Sequence, residues 1–316
     1  MPPPNDAAPT IPGGPRTAIV IVTYNSADVL AECLHSLADG AIGVRLTDVI
    51  VADNASRDDS IVIAKEAADL PVRVVEVGRN AGYAAAINVG TDALNLDELD
   101  AVFVMNPDCR LRPGVLAVLA GCLAERGRGI AVPRLTNPDG TLQPSLRRAP
   151  SVFRALAEAV IGGRLAGRIG TLGELITDPR EYETPRAAVW ATGAAMLVSV
   201  AAIGRIGPWD ESFLLYSEET EYILRAADLG LTLWYEPAAV VEHIGGESST
   251  NPMLAALLAV NKVRLFWRRR GPVAGSAYYL AVVFGEGLRA LTGRPTSRSA
   301  FVALVRPSRR IRMLAG

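Results

Sequence analysis

Strand-like and helix-like segments alternate four times in roughly the first 110 residues, and this alternation constrains the fold most strongly. The strand-like runs are rich in Val and Ile, and the segments between them place apolar residues at helical spacing. The runs read TAIVIVTYN, LTDVIVADNAS, VRVVEV and LDAVFVMNPD. Such alternation predicts an α/β fold, in which a mostly parallel central sheet is flanked by helices.

Polar residues end three of these four runs. They are Thr23-Tyr24-Asn25, Asp53-Asn54 and Asn106-Pro107-Asp108. Because the carboxyl ends of parallel strands lie along one edge of a sheet, where ligands bind in open α/β folds, we expect these groups to converge. Asn-Pro-Asp is also good turn chemistry, so Asp108 considered alone fits a turn or a helix cap as well. The convergence of three strand ends favours a binding site.

Two common nucleotide sites are missing from the sequence. The stretch TYNSADVL after the first run contains no glycine, so it lacks the G-x-G-x-x-G of a dinucleotide-binding unit, and the chain contains no GK[ST]. The same stretch lacks the Gly-rich, basic loop with which a sugar nucleotidyltransferase would hold a triphosphate. Three unevenly spaced cysteines, Cys33, Cys109 and Cys122, form no disulfide framework, which fits a reducing compartment such as the cytoplasm.

The two ends of the chain differ from its middle. Residues 1–16 are rich in Pro and Gly and have no apolar core, so we expect a disordered leader rather than a signal peptide. From Asn251 onward, twelve Lys and Arg residues accompany one acidic residue, Glu286, a net charge of +11. The first 250 residues hold 20 basic and 32 acidic residues, a net charge of −12.

The basic tail suggests a location for the protein. Its apolar stretch AYYLAVVFGEGLRAL is interrupted by Glu286 and Arg289, so it does not predict a membrane-spanning helix. Basic and apolar residues in alternation suit the anionic surface of a membrane, and we expect a peripheral protein at the inner face of the plasma membrane. A homo-oligomer interface is the alternative, and no nucleic-acid-binding motif accompanies the tail.

The middle of the chain continues the alternation less regularly. AVWATGAAMLV and LTLWYEPAAVVEHIGG predict strands, and SEETEYILRAADLG predicts a helix entered from a loop. Residues 154–184 contain Gly and Arg, and we expect a mobile segment there.

Seven segments resemble, in order, the motifs of family 2 glycosyltransferases of the GT-A fold. They are IVIVTYNSADVLAECLHSL, VIVADNASRDDS, RNAGYAAAINVG, VMNPDC, WATGAAMLV, WDESFLLYSEETEYILRA and EHIGG. The resemblance covers about residues 17–270, and within the family the chain is most similar to a rhamnosyltransferase-like branch. It implies a catalytic domain over residues 17–250 and a basic amphipathic helical region over residues 251–316.

The resemblance implies a nucleotide-sugar site at the polar strand ends. Asp53 would accept a hydrogen bond from the N3–H of uracil or thymine, and a buried carboxylate so placed discriminates against bases without that donor. Gly82 belongs to a stretch that would close over the nucleotide sugar, or is an ordinary turn glycine. The residues assigned to donor binding are Thr23, Tyr24, Asn25, Asp53, Arg79, Asn80, Gly82, Asn88, Asn106, Trp190 and Gly193.

A metal site is implied at Asp108 and His243. Asp108 matches the last residue of the D-x-D-type motif of the family, and one carboxylate with the donor phosphates is enough to hold Mg²⁺ or Mn²⁺. His243 matches a second ligand of some members, although a lone histidine at a strand end is often structural. An imidazole ligand would favour Mn²⁺ somewhat over Mg²⁺.

The catalytic base is assigned to Glu219, with Glu218 as the other candidate. An inverting transferase needs a carboxylate to remove the proton of the acceptor hydroxyl. The family usually has Glu-Asp here, and the extra methylene of Glu219 displaces the carboxylate, which can slow a reaction. A solvated acidic helix end is the structural alternative. Gln143, Arg147 and Asp210 match acceptor-binding positions, and Asp210 could instead cap the helix.

The resulting hypothesis is an inverting, metal-dependent transferase that moves a sugar, L-rhamnose from dTDP-rhamnose, to a saccharide or a polyprenyl-diphosphate-linked acceptor in cell-wall or polysaccharide biosynthesis. Two alternatives stay open: a UDP-sugar-dependent transferase with a soluble acceptor, and a catalytically weak nucleotide-binding partner of a glycan assembly complex.

Overall fold

The structure, a computed structural model, describes residues 13–245 and 250–311. The strands are β1 (Arg16–Thr23), β2 (Arg45–Asp53), β3 (Val72–Glu76), β4 (Ala101–Met105), β5 (Cys109–Leu111), β6 (Arg128–Thr136), β7 (Leu146–Arg147), β8 (Arg186–Ala188), β9 (Trp190–Ala191), β10 (Ala195–Ser199) and β11 (Thr232–His243). The helices are α1 (Ala27–Gly40), α2 (Ser60–Glu66), α3 (Tyr83–Asp92), α4 (Val115–Leu123), α5 (Val152–Ile161), α6 (Gly163–Arg168), α7 (Val200–Ile206), α8 (Glu218–Asp228), α9 (Pro252–Leu291) and α10 (Pro295–Val305).

The main sheet has the strand order β3-β2-β1-β4-β10-β6-β11-β5, with β8 paired to β11. Strands β3, β2, β1 and β4 run parallel to one another. Strand β10 lies between β4 and β6 and runs antiparallel to both. The predicted α/β class with a mostly parallel sheet is therefore confirmed. Because β1, β2 and β4 are adjacent and parallel, their carboxyl ends lie side by side on one edge of the sheet.

Apolar side chains alternate between two faces of the sheet and make two cores. Val20 packs in the first core with Ile87 of α3 and Ile223 of α8. Ile19 packs in the second core with Leu34 of α1 and Leu116 of α4. Central strands buried on both faces read as continuous apolar runs, which is why TAIVIV is apolar at almost every position.

The far end of the sheet carries a short antiparallel pairing that matters for the site. Strand β5 begins directly after Asp108 and runs antiparallel to the end of β11, so that Cys109 pairs with His243. This register brings the end of the fourth predicted strand next to a histidine that is more than a hundred residues further along the chain.

Residues 154–184, expected to be a mobile segment, instead contain folded helices. Helix α5 begins at Ser151, whose side chain accepts a hydrogen bond from the backbone N–H of Arg154. Its buried residues Ala155 and Ala159 are four apart and so share one face of the helix. Gly162, with φ of 83°, separates α5 from α6. Small alanines face the protein, while Phe153 and Val160 of the same helix are exposed, so Gly and Arg content alone does not predict mobility here.

The C-terminal region is helical, as expected, and packs on the rest of the chain. Helix α9 is broken at Gly271, which has φ of 77° and precedes Pro272. Phe266 and Tyr278, one on each side of the break, stack at 4.1 Å in a third core that includes Ala155 of α5. None of the described helices is both long and apolar enough to cross a membrane.

The predicted domain boundaries stay predictions. Residues 1–12 of the predicted leader lie outside the described residues, and Arg16 already pairs with Arg45 in β2.

Replacing Phe266 tests the packing of the C-terminal helices. Phe266→Ala removes a buried ring that stacks on Tyr278, so we expect it to lower the free energy of unfolding by about 3–5 kcal/mol. Val273→Ala is the control, because Val273 is 85% exposed and its loss should change stability by less than about 0.5 kcal/mol. Urea unfolding measures both; equal values for the two variants would contradict the third core.

Candidate active site

The ends of β1 and β2 are joined by buried side-chain hydrogen bonds. Thr23 and Asp53 are partners in the parallel register, and the Thr23 hydroxyl donates to Asp53 Oδ1 at 2.8 Å. Asp53 is fully buried and also accepts from the backbone N–H and the hydroxyl of Ser56. Asn25, in the left-handed region with φ of 50°, accepts from the backbone N–H of Arg57 at 2.8 Å. The two strand ends therefore form one rigid floor, with the half-buried Tyr24 beside it.

Asn54 was not assigned a role from the sequence, although it directly follows Asp53 at the strand end. Its side chain is buried, donates to the carbonyl of Gly82 at 3.1 Å and accepts from the backbone N–H of Ala81 at 3.4 Å. Asn54 therefore fixes the segment that the sequence assigned to the nucleotide sugar. In that segment Asn80 is half-buried and Arg79 is exposed.

Gly82 and Asn88 hold the loop that precedes α8. Gly82 has φ of 96°, and an added Cβ would lie 2.3 Å from the carbonyl oxygen of Leu214, so only glycine fits this contact. The Asn88 amide donates to the carbonyl of Trp209 at 3.0 Å and accepts from its backbone N–H at 2.8 Å. Both residues thus position the loop. Their predicted contacts with the donor stay predictions.

His243 is held in one tautomer by Gln143. The Gln143 amide nitrogen donates to Asn137 Oδ1 at 3.0 Å and to the His243 carbonyl at 3.1 Å. Its oxygen therefore faces His243 Nδ1 at 2.6 Å, so Nδ1 carries the proton and Nε2 carries a lone pair. Burial lowers the pKa of His243 and so favours the neutral ring, although the charge of Asp108 acts in the opposite direction. Gln143, assigned to the acceptor, here orients the histidine.

Asp108 and His243 fit a divalent cation. The lone pair of His243 Nε2 faces Asp108 Oδ1 at 3.5 Å, and this buried oxygen has no hydrogen-bond partner among the described residues. Ligand atoms about 2.1 Å from one ion are commonly about 3–3.5 Å apart, so a cation fits between two lone pairs that lack a shared proton. Asp108 Oδ2 is fixed by the backbone N–H of Gly245 at 2.9 Å.

Asn106 and Cys109 also border this pair. The Asn106 amide nitrogen lies 3.4 Å from His243 Nε2. The Cys109 thiol is close enough to join a ligand set with Asp108 and His243, but it is fully buried and donates to the Ala194 carbonyl at 3.3 Å. Burial raises the pKa of Cys109 well above its usual value, and a protonated thiol is a poor metal ligand. The best ligand set in the described residues is therefore Asp108 with His243.

The carboxylates of α8 follow two strained residues. Tyr216 and Ser217 both lie in the left-handed region, with φ of 65° and 79°. Non-glycine residues adopt this backbone at a cost and cluster at functional sites. Asn261 of α9 donates to the carbonyls of Leu215 at 2.9 Å and of Tyr216 at 3.3 Å, which secures the turn.

Glu218 and Glu219 occupy different environments. Glu218 is 2% exposed, and burial, with the nearby charge of Glu219, raises its pKa well above the usual value. Burial also raises the pKa of Glu219, but the charge of Arg147 opposes this shift. Glu221 forms an ion pair with Arg225 at 2.9 Å. The first turn of α8 is therefore not a solvated acidic end.

Gly193 and Tyr83 pack around Glu219. An added Cβ at Gly193 would lie 2.8 Å from the Glu219 Cβ, so the absence of a side chain makes room for the glutamate. The Tyr83 hydroxyl donates to the Gly193 carbonyl at 3.2 Å. Burial raises the pKa of Tyr83, and the charges of Glu218, Glu219 and Asp108 act in the same direction. Tyr83 therefore lies near both the metal-binding pair and the base candidates. Its sequence signal was its place in the RNAGYAAAINVG segment.

Arg147 and Trp190 lie on the other side of Glu219. They are partners in the two-stranded sheet of β7 and β9, and the Arg147 guanidinium lies 5.0 Å from the centre of the Trp190 ring. Trp190 donates from its indole nitrogen to the Arg148 carbonyl. Arg147, Trp190 and Glu219 together line a cavity of about 810 Å³. A second cavity, of about 1020 Å³, contains none of the predicted site residues.

Asp210 stabilises the loop before α8. One of its oxygens accepts from the backbone N–H of Ser212 at 2.9 Å, and the other pairs with Arg268 of α9 at 2.8 Å. The residue at the N-terminus of α8 is Ser217, so the expectation that Asp210 could cap this helix is wrong. The acceptor role of Asp210 stays a prediction.

Comparisons with known proteins identify the family of the chain. Residues 18–173 match the family profile described as Glycosyl transferase family 2. An N-acetylglucosaminyl-diphospho-decaprenol L-rhamnosyltransferase of Mycobacterium tuberculosis (strain ATCC 25618 / H37Rv) is 30% identical over 253 residues, which are 77% of this chain and 81% of the relative.

Two solved structures show the fold. The mannosyltransferase PcManGT from Pyrobaculum calidifontis, in complex with GDP-Man and Mn²⁺, has a TM-score of 0.58 at 17% identity, over 96% of this chain and 79% of its own. Glucosyl-3-phosphoglycerate synthase from Mycobacterium tuberculosis, in complex with Mn²⁺ and UDP, has a TM-score of 0.51 at 16% identity, over 80% of each chain.

The solved structures show the GT-A fold, and the family profile and the mycobacterial relative show a glycosyltransferase. The chain belongs to glycosyltransferase family 2, in which it is similar to a rhamnosyltransferase, and the predicted family and fold are confirmed.

Gln143 provides a test of the metal-binding pair. Gln143→Leu removes the acceptor that keeps the His243 proton on Nδ1, so we expect Mn²⁺ affinity, measured by calorimetry with a nucleoside diphosphate present, to fall about 10–100-fold. Val62→Ala, at an exposed position on α2, is the control and should retain native affinity. Native affinity in Gln143→Leu would contradict the orienting role.

Proposed function

We propose that the chain is an inverting, metal-dependent transferase that moves L-rhamnose from dTDP-rhamnose to a polyprenyl-diphosphate-linked saccharide. The observation that carries this proposal is the position of Glu219, a carboxylate that lines a cavity together with the cation of Arg147. The sugar and acceptor follow the printed name of the mycobacterial relative.

Glu219 is the base in this proposal. It borders the cavity, and the charge of Arg147 favours its ionised form. Glu218 is buried, and its burial and the nearby charge of Glu219 raise its pKa well above the usual value, which disfavours the ionised form that a base needs. Glu219 would take the proton of the acceptor hydroxyl as the oxygen attacks the anomeric carbon from the face opposite the leaving diphosphate.

Asp108 and His243 would hold the divalent cation, Mn²⁺ or Mg²⁺. Such an ion neutralises charge on the leaving diphosphate. An imidazole ligand favours Mn²⁺ over Mg²⁺.

Asp53 would select the base of the donor. Its carboxylate is oriented by Thr23 and Ser56, so it has no freedom to turn toward another partner. A fixed acceptor suits the N3–H of thymine or uracil and disfavours bases without that donor. The preference for a dTDP-sugar over a UDP-sugar rests on the relative.

The basic C-terminal helices would lie against an anionic membrane at the cytoplasmic face. Part of their charge already acts within the protein: Arg268 pairs with Asp210, and Arg269 pairs with Asp228 at 2.7 Å. The cations left for lipid include Arg298, Arg306 and Arg309, which are exposed. Removing the whole tail would also remove the support of the loop before α8.

Transfer assays test the function. The purified protein is incubated with Mn²⁺, a polyprenyl-diphosphate-linked N-acetylglucosamine, and either dTDP-rhamnose or a UDP-sugar. We expect transfer from dTDP-rhamnose that EDTA abolishes, and Glu219→Gln should slow it between about 100-fold and 10,000-fold with nucleotide binding intact. Glu218→Gln, the matched control, should slow it far less. Nucleotide binding without transfer would instead support a non-catalytic partner.

The pH profile tests the pairing of Arg147 with Glu219. The base must be ionised, so kcat/KM falls as the pH drops through the raised pKa of Glu219. Arg147→Gln removes a positive charge that lowers this pKa, so the acid limb should move to higher pH. Arg270 is an exposed cation on α9, away from Arg147, and Arg270→Gln should leave the acid limb at the same pH. An unmoved limb in Arg147→Gln would refute the pairing.

A further inference from the structure

The cavity beside Glu219 has walls from two parts of the chain that sequence analysis left out of the site. One wall is the junction of α5 and α6, the segment first expected to be mobile, and the other is α9. The floor holds Glu219, Arg147 and Trp190. The cavity therefore begins at the proposed base and leads away from it toward the surface between these helices.

Cations inside the cavity are not balanced by paired carboxylates. Arg147, Arg164, Lys262 and Arg294 line it, and among the described residues none of the four forms an ion pair. The Nε atom of Arg147 is buried and has no hydrogen-bond partner within the described part of the chain. Buried donors without partners are rare in native proteins, so this atom points to an anionic ligand.

Three carboxylates share the lining with these four cations: Glu158, Glu174 and Glu219. Glu158 accepts a hydrogen bond from the backbone N–H of Glu174 at 2.7 Å. Burial raises the pKa of Glu174 to about 7, with Lys262 and Arg147 opposing the shift, so this group is only partly ionised near neutral pH. The cations therefore outnumber the carboxylates, and the lining carries a positive excess.

The mouth of the cavity is apolar. Ile161 at 38%, Leu165 at 52% and Leu258 at 38% exposure line it while also facing solvent. The apolar surface continues along α5, where Val160 is 71% and Phe153 is 61% exposed. Exposed side chains of this size in one patch mark an interaction site.

Resting on the proposed function, we infer that this cavity is the acceptor site. Arg147 and Lys262 bind the diphosphate of a polyprenyl-linked saccharide, its sugar faces Glu219, and its first isoprene units cross the apolar mouth at Ile161 and Leu165. The lining brings together the proposed base, cations that form no ion pair in the described residues, and exposed apolar side chains, and these groups suit the sugar, the diphosphate and the hydrocarbon of such an acceptor. Cationic side chains suit a phosphate ligand, and the exposed mouth suits a chain that continues into a membrane.

Two acceptors that share the sugar diphosphate but carry either a decaprenyl chain or a single methyl group test this inference in detergent. Lys262→Ala should raise KM for both acceptors about tenfold, because a hydrogen bond to a charged group is lost. Ile161→Ser with Leu165→Ser should raise KM about tenfold for the decaprenyl acceptor alone, because only the long chain covers the mouth. Arg270→Ala on α9 and Val62→Ser on α2 are matched controls, exposed positions outside the cavity.

Direct binding separates this inference from the proposed function. The same acceptors are titrated without donor, and the fluorescence of Trp190 on the cavity floor reports binding. Binding that weakens in Lys262→Ala, with no transfer by the native protein, would support the acceptor site and overturn the proposed function. Transfer with native KM in Lys262→Ala and in the double variant would overturn the acceptor site alone. An equal rise for both acceptors in the double variant would refute the lipid assignment of the mouth.

Discussion

The loop from Trp209 to Ser217 is the constraint on which the site depends. It ends in two residues with left-handed backbone, and such strain persists only where surrounding structure fixes it. That structure comes from three distant parts of the chain: Gly82 against Leu214, Asn88 on Trp209, and Asn261 of α9 on the last carbonyls. The loop in turn sets the start of α8, so the position of Glu219 depends on the nucleotide-side segment and on the C-terminal helices together.

The same dependence explains why the basic tail is part of the catalytic unit. Asn261, Arg264 and Arg268 on one half of α9 contact the loop, while Lys262 on another side of the helix lines the cavity. One helix thereby supports the loop that positions Glu219 and also lines the proposed acceptor site. A helix with both tasks couples acceptor binding to the position of Glu219, because a shift of α9 would move the two together.

The sheet and its polar edge could be predicted from the sequence because β-branched runs and strand-end polar residues are local signals. The pairing of Asp108 with His243 followed from a family resemblance, and the structure brings the two within 3.5 Å. Contacts made across long separations left no such signal. Asn54, Tyr83 and Lys262 look like ordinary loop or helix residues until the fold brings them to the site. The expectation of mobility over residues 154–184 rested on Gly and Arg content, which does not exclude a helix such as α5.

The glutamate at the position of the usual aspartate is accommodated by its neighbours. Gly193 leaves room for the base of this side chain, since a Cβ there would lie 2.8 Å from the Cβ and 3.2 Å from the Cγ of Glu219. The Tyr83 hydroxyl donates to the Gly193 carbonyl and so helps to fix the backbone against which Glu219 packs. The Glu219 side chain lines the cavity together with Arg147. A carboxylate held against a fixed backbone at the cavity is placed for proton abstraction from a bound hydroxyl, which depends on accurate positioning.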